Sequence, residues 1–264
     1  MPDDELVVRT DHGAIRVLRM NRPHARNALN RGLIRALYAA LKSADGDASV
    51  RAVVLTGADP AFCAGIDLKE AARDGLKYFD EFKTQSCITA VAEMRTPIVG
   101  AVNGSTFTGG LELALGCDFL VASDWAVFAD THARVGILPG GGMTARLPRV
   151  VGDAMARRMS MTGEVVDAVR AERIGLVTEV VPHDGLLSRA IELAAQIAGV
   201  PKPTMLGLKE IYVRGASAVV DPALAAEDAI AGAQEHDLAG LEQRRLDVMR
   251  DNKSQIGTIV PDRS

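Results

Sequence analysis

The sequence predicts an α/β fold in which short strands alternate with helices and the C-terminal part is helical. Two observations lead to this prediction. A unit of strand, glycine-bearing loop and helix occurs at residues 52–70 and recurs from residue 98. From about residue 141 onward the pattern is almost wholly helical, with one apolar strand at 176–182. We therefore expect a core over residues 1–195 and a helical region over 196–264, acting as a lid or in self-association.

Each element follows from its local pattern. Residues 5–10 and 14–20 are short alternating runs joined by DHG, which indicates an antiparallel hairpin. In GLIRALYAALKSA the apolar residues recur at helical spacing, and Asn30 precedes them as a candidate N-cap. Short apolar runs predict further strands at 52–57, 98–102, 119–123 and 126–129. The first two of these end in loops, GADPAFCAGID and NGSTFTGG.

Bulk composition argues against several functional classes. The chain has 264 residues, 48% of them hydrophobic, which is enough for a sizeable core. Its 30 basic and 34 acidic residues are interspersed and give a net charge of −4, so no basic face for nucleic acid is expected. The N-terminus is acidic, unlike a signal peptide, and no apolar run reaches the roughly 18 residues that span a membrane. We expect a cytoplasmic protein without nucleic-acid or membrane partners.

The cysteine pattern indicates a reducing compartment. Cys63, Cys87 and Cys117 are odd in number and widely spaced, and they form no C-x-x-C pair of the kind that metals or disulfide scaffolds use. We therefore expect free thiols and no metal site.

Two loops are candidates for chemistry because each follows a strand and leads into a helix. They are AFCAGIDLKE (61–70) and STFTGGLELALGCD (105–118). The first N–H groups of a helix have no intrahelical partner, so two of them converging from different loops would form an oxyanion hole. Ala64 and Gly109 are the candidates, since each immediately precedes a glycine. The alternative interpretation is that the glycines only permit tight turns and helix packing.

Glu112 is the candidate catalytic carboxylate. It follows Gly109 by three residues, so in a helix that begins at 109 the two lie on the same face, one turn apart. Its neighbours Leu111, Leu113 and Leu115 indicate a buried helix, on which a charged residue needs a reason. The alternative is an acid that only complements the helix dipole.

Three ordered motifs carry a family resemblance. AFCAGIDLKE, IVGAVNGSTFTGGLELALGCD and ILPGGGMTARLPRVVG closely resemble the crotonase family, also called the enoyl-CoA hydratase/isomerase superfamily. The likeness covers roughly residues 5–215 and includes NRPHARNALN and AERIGLVTEVVP. It implies a spiral of strand–strand–helix units followed by a helical C-terminal region, and assembly as a homotrimer or a dimer of trimers.

The resemblance also implies a site for acyl-CoA thioesters without a metal or redox cofactor. Two backbone N–H groups polarise the thioester carbonyl in such enzymes, and by this likeness they match Ala64 and Gly109. The residues that match the family's CoA site are His24, Ala25, Arg26, Ala64, Ile66, Asp67 and Leu68. Two alternatives stay open, because Arg26 is equally a solvated loop cation and Asp67 equally a cap for the helix that follows it.

One position departs from the family pattern. Family hydratases use two glutamates that flank a water, and Glu112 matches the first. FADTHARVG aligns without a gap on the usual Phe-x-x-Pro-Glu-x-x-x-Gly, which places His132 at the second. A histidine can exchange a proton near neutral pH, and a nearby carboxylate favours its protonated form. The alternative is a structural His132 that hydrogen-bonds Asp130 or a backbone carbonyl.

We therefore predict an acyl-CoA enzyme, a hydratase-type lyase with Glu112 as general base and His132 as proton donor. The alternatives are double-bond isomerisation, dehydration or thioester hydrolysis on the same scaffold, or an acyl-CoA-binding scaffold without catalysis. The floor of the acyl pocket is expected in residues 73–93, where Tyr78, Phe79 and Phe82 either close it or pack in the core.

Overall fold

The computed structural model describes residues 5–234 and 240–259. Residues 1–4 of the expected core, and 235–239 and 260–264 of the expected C-terminal region, lie outside the described residues. The strands are β1 (Val7–His12), β2 (Ile15–Met20), β3 (Ala52–Gly57), β4 (Ala61–Cys63), β5 (Ile98–Val102), β6 (Ser105–Phe107), β7 (Phe119–Ser123), β8 (Val127–Ala129), β9 (Val166–Asp167) and β10 (Glu179–Val181).

Helices follow most of these strands and dominate the second half of the chain. They are α1 (Arg31–Gly46), α2 (Leu68–Asp74), α3 (Leu76–Gln85), α4 (Cys87–Ala92), α5 (Gly109–Leu115), α6 (His132–Val135), α7 (Met143–Val151), α8 (Asp153–Thr162), α9 (Ala168–Arg173), α10 (Leu186–Gly199), α11 (Lys202–Gly232) and α12 (Leu241–Ile259). Short 3₁₀ turns cover Pro23–Ala25 and His183–Gly185. The predicted α/β class is confirmed.

The main sheet has six strands in the order β1-β2-β3-β5-β7-β10. The β1–β2 pair is antiparallel, as the alternating runs predict, and the other pairs are parallel. Both faces of this sheet are covered, so successive residues of β3 are all buried although they point to opposite sides. Val53 and Leu55 join the larger core cluster, whereas Ala52 and Val54 pack toward α10. Burial on both faces explains why β3 and β5 are continuous apolar runs.

Helix α1 forms where the apolar spacing predicts it. The Asn30 side chain accepts a hydrogen bond from the Leu33 N–H at 2.8 Å, which confirms it as the N-cap. Leu33, Leu37 and Leu41 are fully buried on one stripe of the helix. The free energy of burial therefore fixes this helix against the sheet.

A second, smaller sheet corrects the sequence interpretation of the two glycine-bearing loops. Three-residue strands β4 and β6 lie inside segments predicted as loops, and they pair with β8 and β9 in the order β4-β6-β8-β9. Strands this short carry too little periodicity to be predicted from the sequence alone. Their consequence is functional, because β4 and β6 hold the two loops side by side.

The C-terminal region is helical, as predicted, but its expected boundary falls inside a helix. Residue 195 lies within α10, whose buried Leu186, Ala190 and Ala194 cover one face of the main sheet. Helix α11 packs against α7, and α12 packs against α2 and α6. The strand predicted at 176–182 is reduced to β10, since 176–178 precede the paired residues. In the described ranges, no helix combines the length and apolarity that crossing a bilayer requires.

The packing of α10 gives a testable stability difference between two adjacent leucines. Leu186 is 2% exposed and Leu187 is 40% exposed. We expect Leu186→Ala to destabilise the fold by about 2–5 kcal/mol, because it leaves a cavity against the sheet. Leu187→Ala is the matched control and is expected to cost under about 1 kcal/mol. The urea midpoints of both variants measure the difference, and equal midpoints would contradict this packing.

Candidate active site

The two candidate loops meet at the start of α5, but the amide of Ala64 is not free. Its N–H donates to the Arg26 carbonyl at 3.0 Å, and this bond joins the loop to the turn after β2. Two further hydrogen bonds join the same segments. The Leu29 N–H donates to the Gly65 carbonyl at 2.8 Å, and the Asp67 N–H donates to the Leu29 carbonyl at 3.1 Å. In this structure the Ala64 amide is therefore unavailable as an oxyanion donor, which corrects the sequence expectation.

The backbone amides of Ile66 and Gly109 lie close together where the two loops meet. Among the described residues, the Ile66 N–H meets no hydrogen-bond acceptor, because the bridge to Leu29 uses the neighbouring Gly65 and Asp67 groups. Gly109 is the first residue of α5, whose N-terminus has no side-chain cap, so its N–H has no intrahelical partner either. A methyl group on Gly109 would lie 3.6 Å from the Ile66 nitrogen.

The close approach of the loops depends on Gly65. Its φ of +92° is rarely adopted by residues with a side chain. A Cβ at this position would lie 2.1 Å from Thr108 Oγ1 and 2.8 Å from the Phe107 carbonyl oxygen. In the described ranges, the non-glycine residues with positive φ are Arg26, Asn27 and Thr108, all in these segments. Such strained backbone is typical of functional sites.

The residues expected at the CoA site lie along these same joined segments. His24 and Arg26 are exposed on the turn that contains Ala25, and neither side chain forms an ion pair with another described residue. Ile66 and Leu68 are half-buried on the facing loop. The structure therefore brings the predicted set together, with two solvated basic groups at its outer edge.

Asp67 and Tyr78 have structural roles in this region. The Asp67 carboxylate caps α2 by accepting from the Lys69 and Glu70 N–H groups, both at 3.1 Å, and it pairs with Arg22 at 2.7 Å. The cap alternative for this residue is thus confirmed. Tyr78 is fully buried, and its hydroxyl donates to the Leu29 carbonyl and accepts from the Asp67 N–H. Tyr78 therefore packs in the core and braces the loop; a pocket floor in residues 73–93 stays a prediction.

Glu112 lies on α5 one turn after Gly109, as the spacing predicts, and is 3% exposed. Its Oε1 accepts from the Gly141 N–H at 2.8 Å and from the Met143 N–H at 3.3 Å. Its Oε2 faces His132 instead. A Cβ on residue 141 would lie 2.5 Å from Oε2. The turn can approach the carboxylate this closely only because residue 141 is a glycine. One oxygen is held in place and the other is left for chemistry.

His132 is 7% exposed and connects two carboxylates. Its Nδ1 lies 2.7 Å from Asp130 Oδ1, and its Nε2 lies 3.8 Å from Glu112 Oε2. The Asp130 carboxylate also accepts from the His132 backbone N–H at 3.2 Å. A purely structural His132 is expected to hydrogen-bond Asp130, and this contact is present. The same imidazole ring also faces Glu112. Because Asp130 holds the Nδ1 proton, Nε2 is the nitrogen that exchanges protons with the site.

Burial and charge shift the pKa values of this group. Burial raises the pKa of Glu112, and the nearby Glu227 adds to this against the opposing effect of His132. Burial lowers the pKa of His132, but Glu112 and Asp130 outweigh it and the net shift is upward. For Asp130, burial raises the pKa, but the hydrogen bonds and charge of His132, together with a hydrogen bond from Ser160, outweigh it and give a net decrease. Glu112 and His132 therefore each raise or lower the pKa of the other, so their proton exchange is coupled.

Arg146 and Glu227 also belong to this group, although sequence patterns do not single them out. Arg146 Nη1 donates to the Gly141 carbonyl at 2.7 Å, and burial lowers its pKa. Glu227, on α11, is 8% exposed and binds the turn before α7. It lies 115 positions along the chain from Glu112, so no local spacing could indicate this contact. Within the described ranges, no cluster of three or more His, Cys, Asp or Glu side chains is placed to hold a metal ion.

Comparisons with known proteins identify the family. The model of the family described as enoyl-CoA hydratase/isomerase matches residues 10–239. The chain belongs to this family. A probable enoyl-CoA hydratase of Rhizobium meliloti is 42% identical over 216 residues, which is 81% of this chain and 83% of the relative. A probable peroxisomal enoyl-CoA hydratase of Arabidopsis thaliana is 38% identical over 79% of this chain and 78% of its own.

Solved structures of the family share the fold. An enoyl-CoA hydratase from Mycobacterium tuberculosis superposes with a TM-score of 0.78 at 42% identity, over 91% of this chain and 99% of its own. A monofunctional enoyl-CoA isomerase from M. smegmatis has a TM-score of 0.70 at 31% identity, over 81% and 94% of the two chains. The predicted family and its crotonase-like spiral with a helical C-terminal region are thereby confirmed, and the chain is an enzyme of the hydratase/isomerase family.

The contact between His132 and Glu112 predicts a shift that NMR can measure. We expect the pKa of His132 to fall in Glu112→Gln, because a negative partner of the imidazolium is removed. The imidazole carbon-bound protons report the titration, and their loss in His132→Gln assigns them. An unchanged titration in Glu112→Gln would show that the two side chains do not interact across the 3.8 Å gap.

Proposed function

We propose that the protein is an enoyl-CoA hydratase-type lyase, which adds water to the C2=C3 double bond of an enoyl thioester. One observation carries this proposal: Glu112 Oε2, on the helix that Gly109 begins, lies 3.8 Å from His132 Nε2, at the start of α6. Both atoms can reach a single water molecule at about 2.8 Å each. A carboxylate and an imidazolium that share one water supply the base and the acid that hydration requires.

The proposed oxyanion hole consists of the Ile66 and Gly109 N–H groups, with Ile66 in place of Ala64. Support comes from the hydrogen bonds, since the Ala64 N–H is bound to Arg26 while the Ile66 N–H is not bound within the described chain. The two N–H groups stabilise negative charge on the thioester oxygen as it develops. One such donor typically contributes about 3–4 kcal/mol to the transition state.

The proposed reaction conserves protons within the Glu112–His132 pair. Glu112 Oε2 accepts a proton from water while the water oxygen bonds to C3 of the enoyl thioester. The electrons of the C2=C3 bond move toward the carbonyl, and the resulting enolate oxygen is held by the two N–H groups. Protonated His132 then donates from Nε2 to C2, and the proton on Glu112 returns to His132 across the short gap between them.

The CoA portion is proposed to lie along the segments of residues 24–26 and 64–68. His24 and Arg26 are exposed at the outer edge and lack partners in the described structure, which suits phosphate groups. Backbone groups near Ile66 and Leu68 are proposed to contact the pantetheine and adenine. Self-association as a trimer or a pair of trimers, and a cytoplasmic location, remain predictions; exposed Ile211 and Tyr212 on α11 agree with self-association.

Double-bond isomerisation is the second candidate. The observation that favours it is the 3.8 Å gap, because a directly coupled acid and base can move a proton between carbons without water. The M. smegmatis neighbour named as an isomerase shows that the family fold serves this reaction. Incubation with a 3-enoyl-CoA separates the two activities, since an isomerase gives the 2-enoyl product whereas a hydratase does not attack the 3-enoyl substrate.

The experiment that tests the hydratase proposal is the loss of crotonyl-CoA absorbance in the presence of the protein. We expect Glu112→Gln and His132→Gln each to lower kcat by about 10²–10⁴-fold, the usual contribution of a general base or acid. Glu192→Gln is the control, because Glu192 is an exposed residue of α10. Free-thiol release, measured in parallel, reports thioester hydrolysis.

Two outcomes would overturn this assignment. Wild-type hydration that Glu112→Gln leaves unchanged would remove Glu112 as the base. Saturable binding of acyl-CoA without turnover of any enoyl- or hydroxyacyl-CoA would instead support a scaffold without catalysis.

The oxyanion geometry predicts a separate effect at Gly65. Gly65→Ala is expected to lower kcat by about 100-fold, because the Cβ would push Thr108 and Gly109 out of place by roughly 1 Å. Gly13→Ala is the matched control: Gly13 also has positive φ, +63°, but no atom lies within 4 Å of its added Cβ. The control is expected to cost only about 1–2 kcal/mol of stability and no activity. Equal activities of the two variants would contradict the close approach.

A further inference from the structure

We propose that Glu227, on the C-terminal helix α11, is a positioning residue that fixes the general base Glu112 through the backbone turn that both carboxylates bind. The observation is an alternation along four consecutive amides. Gly141 and Met143 donate to Glu112, whereas Gly142 and Thr144 donate to Glu227.

The two carboxylates accept hydrogen bonds from alternate amides of the turn that begins α7. Glu112 Oε1 lies 2.8 Å from the Gly141 nitrogen, and Glu227 Oε2 lies 2.8 Å from the Thr144 nitrogen. The Thr144 hydroxyl also donates to Glu227. The first N–H groups of a helix need acceptors, and here two separate helices supply them. Displacing either carboxylate therefore moves the amides that the other one holds.

Burial makes this arrangement specific. Glu227 is 8% exposed and Glu112 is 3% exposed, so neither carboxylate can exchange the amides for water without rearrangement. A glutamine at 227 retains one good acceptor oxygen and replaces the other with an N–H₂ group. The glutamine side chain would therefore have one acceptor oxygen in place of two for the same three donors, which are two backbone N–H groups and one hydroxyl.

Glu227 also contributes charge to the site. The charged groups around the turn are Glu112 on α5, Asp130 and His132 at α6, Arg146 on α7 and Glu227 itself. The negative charge of Glu227 raises the pKa of Glu112 and of His132. Removing it stabilises the ionised carboxylate and the neutral imidazole, so both groups titrate at lower pH.

This inference rests on the proposed role of Glu112 as base, and its test combines kinetics with a measurement that needs no turnover. In Glu227→Gln we expect kcat for crotonyl-CoA hydration to fall about 10–100-fold, because the base is misplaced by a fraction of an ångström to 1 Å. KM is expected to change little, since the hydrogen bonds of Glu227 in the described part of the chain go to Gly142 and Thr144, outside the segments proposed to bind CoA. Both limbs of the pH–rate profile are expected to move to lower pH.

Matched variants separate positioning from general damage to α11. Glu210→Gln is the control on the same helix, at an exposed residue that pairs with Arg214, and it is expected to leave kcat, KM and the pH profile unchanged. Thr144→Val removes only the hydroxyl contact with Glu227, and a smaller decrease in kcat is expected. If Glu227→Gln does not keep the native circular dichroism spectrum, Thr144→Val tests the positioning role instead, by the same measurements of kcat, KM and the pH–rate profile.

The second measurement is the titration of the Glu112 carboxyl carbon by ¹³C NMR in the unliganded protein, assigned by its loss in Glu112→Gln. A titration that moves to lower pH in Glu227→Gln supports the inference even if the wild type hydrates no enoyl-CoA, in which case only the proposed function fails. A folded Glu227→Gln with wild-type kcat, pH profile and Glu112 titration would overturn it.

Discussion

The structure depends on how one buried carboxylate is satisfied. Glu112 has almost no contact with water, so its charge must be balanced by protein groups or be lost through protonation. Two backbone amides bind Oε1, and an imidazole faces Oε2. The two amides lie 29 and 31 positions from Glu112 along the chain, on a different helix start, so the fold has to bring them to one place.

The two sheets achieve this in different ways. The main sheet is buried on both faces and provides a rigid frame, whereas the small sheet is built from strands of two or three residues. Strands β4 and β6 end two or three residues before Ile66 and Gly109, so they bring these two amides close together. Gly65 then lets the two loops approach each other more closely than any residue with a side chain would permit. The stable part of the fold thus lies beneath a site that depends on a few close backbone contacts.

Much of this could be predicted from the sequence, and the remainder has identifiable physical reasons. The apolar runs of β3 and β5, the Asn30 cap and the Gly109–Glu112 spacing are local patterns, and the structure follows each of them. The choice between Ala64 and Ile66 depends on which amide a distant carbonyl occupies, and no local pattern contains that information. Glu227 and Arg146 were missed for the same reason, because their contacts with the turn at 141–144 are set by helix packing.

The bond between Asp130 and His132 limits which residues position 132 can hold. Asp130 is 1% exposed, and its charge is compatible with the interior because the adjacent imidazole shares a proton with it. A glutamate at position 132 would bury a carboxyl group beside Asp130 and near Glu112, and the three could not all stay ionised. At least one of them would have to hold a proton, which would take a charge out of the site. The tolerance of position 132 to an acidic residue is therefore set by the residue at position 130.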